Sequence, residues 1–433
     1  MRYSGGVTSA YSDSPADSHR AVEAVWRIEA ARVIAGLARM VGDVGLAEEL
    51  AQDALVAALE EWPRKGVPDN PGGWLMVTAK HRALDQFRRR DTYERKLQEV
   101  GRDLELRERL SGDDLDAALD DHIGDDLLRL VFTVCHPVLP AEGRIALALR
   151  TLGGLTTEEI ARAFLVPEPT VGQRISRAKR TLTDKKVPIE LPPPQELPAR
   201  LASVLEIVYL IFNEGYAATA GDDWVRPSLC QEAMRLGRVL AGLMPDEPEV
   251  HGLSALMEIQ ASRIPARTAP DGSPILLLDQ DRSRWDRLLV RRGLAALGRA
   301  EALGRMGPYA LQAAIAACHA RALTPEDTDW ARMAALYRLL AHVAPSPVVE
   351  LNRAVAVGMA DGPERGLEIA DALVAERHLR GYAQLPAVRG DLLARLGRDE
   401  EAAAEFGRAA GLTRNARERE LFLARAAALR QPS

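Results

Sequence analysis

The stretch GLTTEEIARAFLVPEPTVGQRISRAKRTL, Gly154 to Leu182, reads as two short helices joined by a tight turn, the second of them basic. Thr156 followed three residues later by Glu159 is a capping box, which predicts a helix from about Thr157. Ile160, Ala161 and Phe164 supply its buried face. Pro167 and Pro169 interrupt the helical period, and Pro169 suits the first turn of a new helix. In that second helix Val171, Ile175, Ala178 and Leu182 form one apolar stripe. Gln173, Arg174, Arg177, Lys179 and Arg180 project away from it. A short helix presenting amide and guanidinium groups fits a DNA major groove, where they reach base edges and phosphates. A surface helical hairpin with a solvated basic face has the same pattern, so this stretch leaves both readings open.

Working outward, the 433 residues have room for two to four domains. Ala, Leu, Arg and Glu dominate, aromatics are only 5%, and the expected class is all-α. Cys135, Cys230 and Cys318 are too few and too scattered for a disulfide framework, which suits a reducing cytoplasm. No apolar run approaches the roughly 20 residues that span a bilayer. Residues 1–20 lack an apolar signal region and are expected to be a disordered leader. These features predict a cytoplasmic protein without membrane association.

The net charge of −6 argues against coating nucleic acid non-specifically, and the distribution of charge is more informative. Lys80 to Lys96 holds seven Lys/Arg against three acids, and Arg174 to Lys186 holds six against one. Between them, Asp113 to Asp126 holds seven Asp and no Lys or Arg. Two basic surfaces joined by an acidic connector fit a protein that touches DNA at two places.

The pattern from Ala21 to about Glu61 is helical, broken at Gly42 and Gly45, with a second helix expected over Leu46 to Trp62. That helix carries Glu48, Glu49, Gln52, Asp53 and Glu60 on its outer face, either a solvated acidic face or a docking surface for a basic partner. Pro63 to Gly73 reads as a loop and Trp74 to Arg90 as a basic helix. A Gly/Pro-rich loop abutting such a helix could hold an unstacked base. A plain connection before a positive helix end is the alternative. Thr92 to Ile123 reads as a charged linker with partial helix. Helix resumes over Asp125 to Leu152, with an interruption from His136 to Pro140. Val187 to Pro198 carries five prolines in twelve residues and is expected to be a spacer at a domain boundary. Beyond it the chain is helical. Arg353–Leu373 and Gly390–Leu412 resemble each other as paired-helix repeats, and Leu294–Ala320 is a plausible earlier unit. Ser262 to Asp286 reads as an ordered irregular insertion.

Together these segments resemble the extracytoplasmic-function sigma factors of bacterial RNA polymerase. LAEELAQDALVAALEEW (Leu46–Trp62) is similar to their core-binding helix, and PGGWLMVTAKHRALDQFRRR (Pro71–Arg90) to the segment that opens and reads the minus-ten element. Gly154–Leu182 resembles the minus-thirty-five helix-turn-helix. NEGYAA from Asn213, LLLDQDRSRWD from Leu276, GPYALQAAIAACHA from Gly307 and PSPVVELNRAVA from Pro345 resemble the subgroup with a long C-terminal tetratricopeptide-like extension.

The resemblance implies six segments: a leader over 1–20, region two over 21–96, an acidic linker over 97–124, region four over 125–186, a Pro-rich linker over 187–198 and a helical regulatory domain over 199–430. It implies that Glu48, Glu49, Gln52 and Asp53 face core RNA polymerase. Asp69, Asn70 and Trp74 would flank a flipped minus-ten base, with Lys80, His81, Arg88 and Arg89 on the backbone or non-template strand. Thr170, Gln173, Arg174, Arg177, Lys179 and Arg180 would meet the minus-thirty-five element. The implied partners are core polymerase and promoter DNA, with a regulatory protein or an intramolecular contact through the C-terminal domain. Two positions depart from the family pattern. Leu165 occupies the turn where Gly is usual, and Leu disfavours a left-handed backbone, so a turn of different shape is expected. Gly172 replaces a frequent polar residue and costs about 1 kcal/mol of helix stability against Ala.

No nucleophile or phosphate-cradling Gly loop accompanies the scattered carboxylates Glu214, Asp222, Asp223, Asp279, Asp281 and Asp286. Arg282 and Arg284 are expected to form ion pairs with their Asp neighbours. Cys135-His136 and Cys318-His319 lack the paired spacing of a zinc site and are expected to be packed thiols. No enzyme activity, metal or cofactor is expected. The alternatives are a one-component helix-turn-helix regulator that does not engage polymerase, and a repeat-based peptide-binding scaffold.

Overall fold

The computed structural model describes residues 15–88, 124–217, 225–270 and 272–430. The architecture is all-α. Among the described residues the one extended pairing outside helices is an isolated bridge between Thr268 and Pro274. The chain divides into two compact units, residues up to Arg162 with Val166–Val204, and Ala163–Leu165 with Leu205 onward.

The first unit begins with three mutually packed helices, α1 (Pro15–Val41), α2 (Val44–Lys65) and α3 (Pro71–Arg88). Their shared core includes Ile34, Leu37, Leu50, Ala54, Ala58, Leu75 and Ala83. Gly42, at φ 72, ends α1 in the left-handed conformation that glycine adopts freely. Asp43 then caps α2 by accepting from the Leu46 amide at 2.8 Å, so the helix starts two residues before the expected Leu46 and contains Gly45.

The expected loop from Pro63 to Gly73 shrinks from both ends. Pro63 sits in the last turn of α2, where its ring ends little further helix, and the Gly66 amide closes that turn onto the Trp62 carbonyl at 2.9 Å. Asn70 caps α3 by accepting from the Gly73 amide at 2.8 Å, with Pro71 at the first helical position. Gly66 to Asn70 is all that connects the two helices.

Residues 124–134 form α4, and a turn through Pro137 and Pro140 leads to α5 (Ala141–Thr151). The helix-turn-helix follows as α6 (Thr157–Phe164) and α7 (Glu168–Asp184). The capping box forms reciprocally: the Glu159 amide donates to Thr156 Oγ1 at 3.1 Å, and the Thr156 amide donates to Glu159 Oε2 at 2.8 Å. Val171, Ile175, Ala178 and Leu182 are buried, as their spacing requires. α8 runs from Leu197 to Tyr216, with Pro198 in its first turn, where a missing amide costs nothing. The linker of residues 92–123 lies outside the described residues; Asp126, the last residue of the acidic run, lies beyond it in α4, is buried and accepts from Arg39 at 3.0 Å.

The second unit is a succession of helices, each packed against its neighbours along the chain. α9 (Pro227–Leu243), α10 (Pro248–Ala261), α11 (Arg287–Ala302) and α12 (Pro308–Arg321) come first. Six more follow: α13 (Trp330–Val343), α14 (Pro347–Ala360), α15 (Pro363–Ala372), α16 (Gln384–Arg395), α17 (Asp399–Leu412) and α18 (Ala416–Ala428). The two similar late segments are the pairs α14–α15 and α16–α17. Ala402, Phe406 and Ala409 are fully buried between them and their neighbours. Gly390 lies 3.1 Å, measured from a Cβ it lacks, from the Phe406 ring, so any larger residue there would displace that ring. Ser262 to Asp286 is irregular, with three single 3-10 turns. Its charges do not pair as expected. Among the described residues Arg282 meets no carboxylate. It donates to the carbonyls of His319 and Ala322 at the end of α12 and to Thr328 Oγ1. Asp281 and Asp286 cap the local turn and α11 instead.

Candidate nucleic-acid interface

Three stripes run along α7. The first is the buried one. The second comprises Thr170, Gln173, Arg174 and Arg177, spaced at helical intervals, which line an open concavity of about 310 Å³ with Pro140, Glu142 and Gly143 of α5. Gln173 and Arg177 are exposed, Thr170 and Arg174 half-buried, and Arg180 continues the exposed face one turn on. Guanidinium and amide donors thus converge on one face beside the N-terminus of a short helix, which suits phosphate and base-edge contacts. Gly172 borders this stripe with open space where a Cβ would stand.

The third stripe, Lys179 and Thr183, faces α2. Glu48, expected on a polymerase-facing surface, is 3% exposed. Its Oε1 accepts from Arg150 Nε of α5 at 2.7 Å and from Gln52 Nε2 at 2.5 Å. Lys179 Nζ lies 2.7 Å from Oε2 as an ion pair, off the direction of a well-aligned hydrogen bond. Asp43 Oδ2 accepts from Thr183 Oγ1 at 2.7 Å, and Arg27 of α1 pairs with Glu159 at 2.7 Å. The sequence reading had no signal for Arg150 or Asp43 as partners here, since each pairing joins residues far apart in the chain. Glu49 and Asp53 remain exposed, Asp53 lying 3.7 Å from Arg82.

The expected minus-ten residues do not form one cluster. Asp69 is exposed in the short α2–α3 connection, and Asn70 is engaged as the α3 cap. Trp74 is half-buried, edge-on to Trp62 at 5.4 Å between ring centroids. Lys80 is buried and His81 exposed. The side chain of Arg88 and all of Arg89 lie outside the described residues.

The turn of the motif is a correction. Leu165 adopts φ 50, and the Val166 amide bonds back to the Ala161 carbonyl at 3.1 Å, the six-to-one bond of a Schellman turn. The usual glycine-type turn therefore forms with Leu in it, at a cost of about 1–2 kcal/mol for an L residue in this region. The Leu165 side chain is exposed, so little packing offsets that strain. Leu165→Gly is expected to raise stability by about 0.5–1 kcal/mol, less than the full strain because glycine also loosens the unfolded chain. A lower chemical-denaturation midpoint in the variant would show that the side chain contributes more than it strains.

All three cysteines are buried and free. Burial pushes the thiols of Cys135 and Cys230 up to about 12, which makes them poor nucleophiles at neutral pH. Among the described residues no three His, Cys, Asp or Glu side chains are grouped to hold a metal ion, and no helix is long and apolar enough to cross a membrane.

A three-helix unit, a capped helix-turn-helix and an outward donor stripe define a DNA-facing helical protein. Comparison with known proteins agrees. Residues 27–93 match Sigma-70 region 2, residues 129–182 match Sigma-70 region 4, and residues 200–301 match a family of unknown function, DUF6596. Among relatives, an uncharacterized protein of Rhizobium meliloti (R00370) is 45% identical over 389 residues, 89% of this chain and 90% of the relative. A probable ECF RNA polymerase sigma factor, SigI of Mycobacterium tuberculosis, is 27% identical over 183 residues, 41% of this chain and 59% of its own length. The ECF RNA polymerase sigma-E factor of Haemophilus influenzae is 36% identical over 76 residues, 18% of this chain and 40% of its own length. The chain carries Sigma-70 regions 2 and 4 and is homologous to ECF sigma factors, and its C-terminal extension with the DUF6596 region fits the subgroup with a long extension.

Proposed function

We propose that this sigma factor binds core RNA polymerase, directs it to promoters with a minus-thirty-five and a minus-ten element, and has its activity modulated by the helical domain from residue 199 onward. The observation that carries the reading is the α7 stripe: Thr170, Gln173, Arg174 and Arg177 share one open concave face while the apolar stripe beneath them is buried. Arg180 extends that face, and Lys179 joins it when released from Glu48. On this reading the exposed Glu49 and Asp53 meet a basic polymerase surface, and Asp69, Asn70, Trp74, Lys80, His81, Arg88 and Arg89 serve the minus-ten strand. The protein acts by binding energy alone, spent on unstacking a base and holding single strand, with no catalytic residue or cofactor. Modest affinity at each DNA element suffices, because polymerase holds the two readers on one template.

The test is transcription by the purified chain with core polymerase on genomic templates, followed by mapping of the start sites. Shared upstream sequences at two positions are expected. Arg174→Ala with Arg177→Ala is expected to reduce start-specific transcript at least tenfold, at about 1–3 kcal/mol per lost base contact. Transcript independent of the added protein, or duplex binding that core polymerase leaves unchanged, would favour a one-component regulator.

A further inference from the structure

Within the second unit, α9, α10 and α11 enclose an open cavity of about 370 Å³. It lies inside the matched region of unknown function, residues 200–301. Its floor is Glu258, 4% exposed. Arg238 of α9 and Arg292 of α11 converge on the same carboxylate oxygen, Oε1, at 3.3 and 3.1 Å. Arg299 stands one further stretch along α11, lines the same cavity and forms no ion pair among the described residues. His251, 5% exposed, lines the cavity from α10, one turn from Ser254 and on the same face as Glu258. Its Nε2 sits 2.7 Å from the Pro245 carbonyl, an acceptor only, so Nε2 carries the proton. Its Nδ1 is buried with no hydrogen-bond partner.

This arrangement has an excess of donors. Three arginines line the cavity with one carboxylate, which leaves two positive charges uncompensated in a concave site. Two of the guanidiniums share a single oxygen, so most of their five N–H donors each remain available. Planar guanidinium forks match tetrahedral oxyanions, which accept several bonds at once, better than an ammonium does. Glu258 holds two of the forks in place before any ligand arrives. A cavity of a few hundred Å³ is in the range of small-molecule sites and exceeds a bare phosphate ion.

We propose that the cavity between α9, α10 and α11 binds a small phosphate-bearing anion, held by Arg238, Arg292 and Arg299 with His251 at its wall. The inference is independent of the sigma-factor reading, since no DNA- or polymerase-facing residue takes part. The cleanest variant is Arg299→Gln, because Arg299 does not hold Glu258 and its loss leaves no buried charge unpaired. Full-length protein is titrated with sodium pyrophosphate, and with succinate and sodium chloride at matched ionic strength, by calorimetry and thermal melting. Pyrophosphate is expected to bind saturably and raise the melting temperature by several degrees, with about tenfold weaker binding in R299Q and wild-type binding in Arg380→Gln, an exposed arginine elsewhere in the unit. Stabilisation equal with succinate or chloride, or unchanged in R299Q, overturns the proposal. Binding lost equally in Arg380→Gln would likewise overturn it, as a bulk charge effect.

Discussion

Replacing Glu48 by Ala is expected to lower the stability of the first unit by about 3–5 kcal/mol, the usual cost of removing one member of a buried charge group. The carboxylate is 3% exposed, and its two cationic partners come from different helices, Arg150 of α5 and Lys179 of α7. Removing it strands two positive charges whose side chains are each only 22% exposed. Coulomb repulsion between them then adds to the loss of the bonds. Glu48→Gln keeps the shape and the Arg150 hydrogen bond but not the charge, so it should fall between wild type and Ala. Lys179→Ala alone should cost less, because Arg150 and Gln52 still satisfy Oε1. Urea unfolding of the two single variants and the double variant closes a cycle, and coupling of about 1 kcal/mol or more between Glu48 and Lys179 is expected. An unchanged midpoint in Glu48→Ala would mean that water, not the ion group, occupies that site.

The Glu48 group also bears on how the protein works. One side of it belongs to the helix read as polymerase-binding, the other to the helix read as DNA-binding. While the contact persists, Glu48 and Lys179 neutralise each other and neither is presented outward. Hydrogen exchange in α2 and α7 should therefore rise together in Glu48→Ala, as one opening rather than two.

What the residue order revealed was local. The capping box of α6, the apolar stripe of α7 and the helical class of the whole chain follow from spacings of three and four residues, and the structure forms all of them. Asn70-Pro71 was equally local, an N-cap before a first-turn proline, but the Gly/Pro density from Pro63 to Gly73 masked it and made a five-residue connection look like a long loop. Leu165 shows the opposite failure. Its propensity argued against a left-handed turn, and the flanking helices imposed one regardless. Nothing local could show that Glu48 would turn inward. On a helical wheel it stands beside Glu49 and Gln52 as surface, and only the arrival of Arg150 and Lys179 makes its burial tolerable. Arg282 is illegible for the same reason, since its acceptors include helix-end carbonyls, invisible in side-chain chemistry.

The second large effect is on pH. His319 sits in α12 with its ring edge-on to Trp330 at 5.2 Å and its Nδ1 buried without a partner. Burial first, then the nearby cations Arg263 and Arg282, push its pKa down to about 3 from an ordinary 6.5. The groups facing the ring are thus two permanent cations and an indole, and none of them titrates in the range that matters. In the folded chain His319 stays neutral through mildly acid pH, whereas in the unfolded chain it takes up a proton below about pH 6.5. Protonation therefore favours the unfolded state, and stability falls as pH drops from about 6.5 toward 3. The slope approaches about 1.4 kcal/mol per pH unit once the unfolded histidine is charged. Between pH 6.5 and 4.5 the wild type should lose about 2 kcal/mol more than His319→Asn, which carries no titrating group. Urea unfolding of both proteins across that interval reads the difference directly. The variant starts lower at neutral pH, because it leaves space beside Trp330, so the diagnostic quantity is the convergence of the two curves in acid. Parallel curves would place a proton on His319 in the folded chain, and with it a third positive charge beside Arg263 and Arg282.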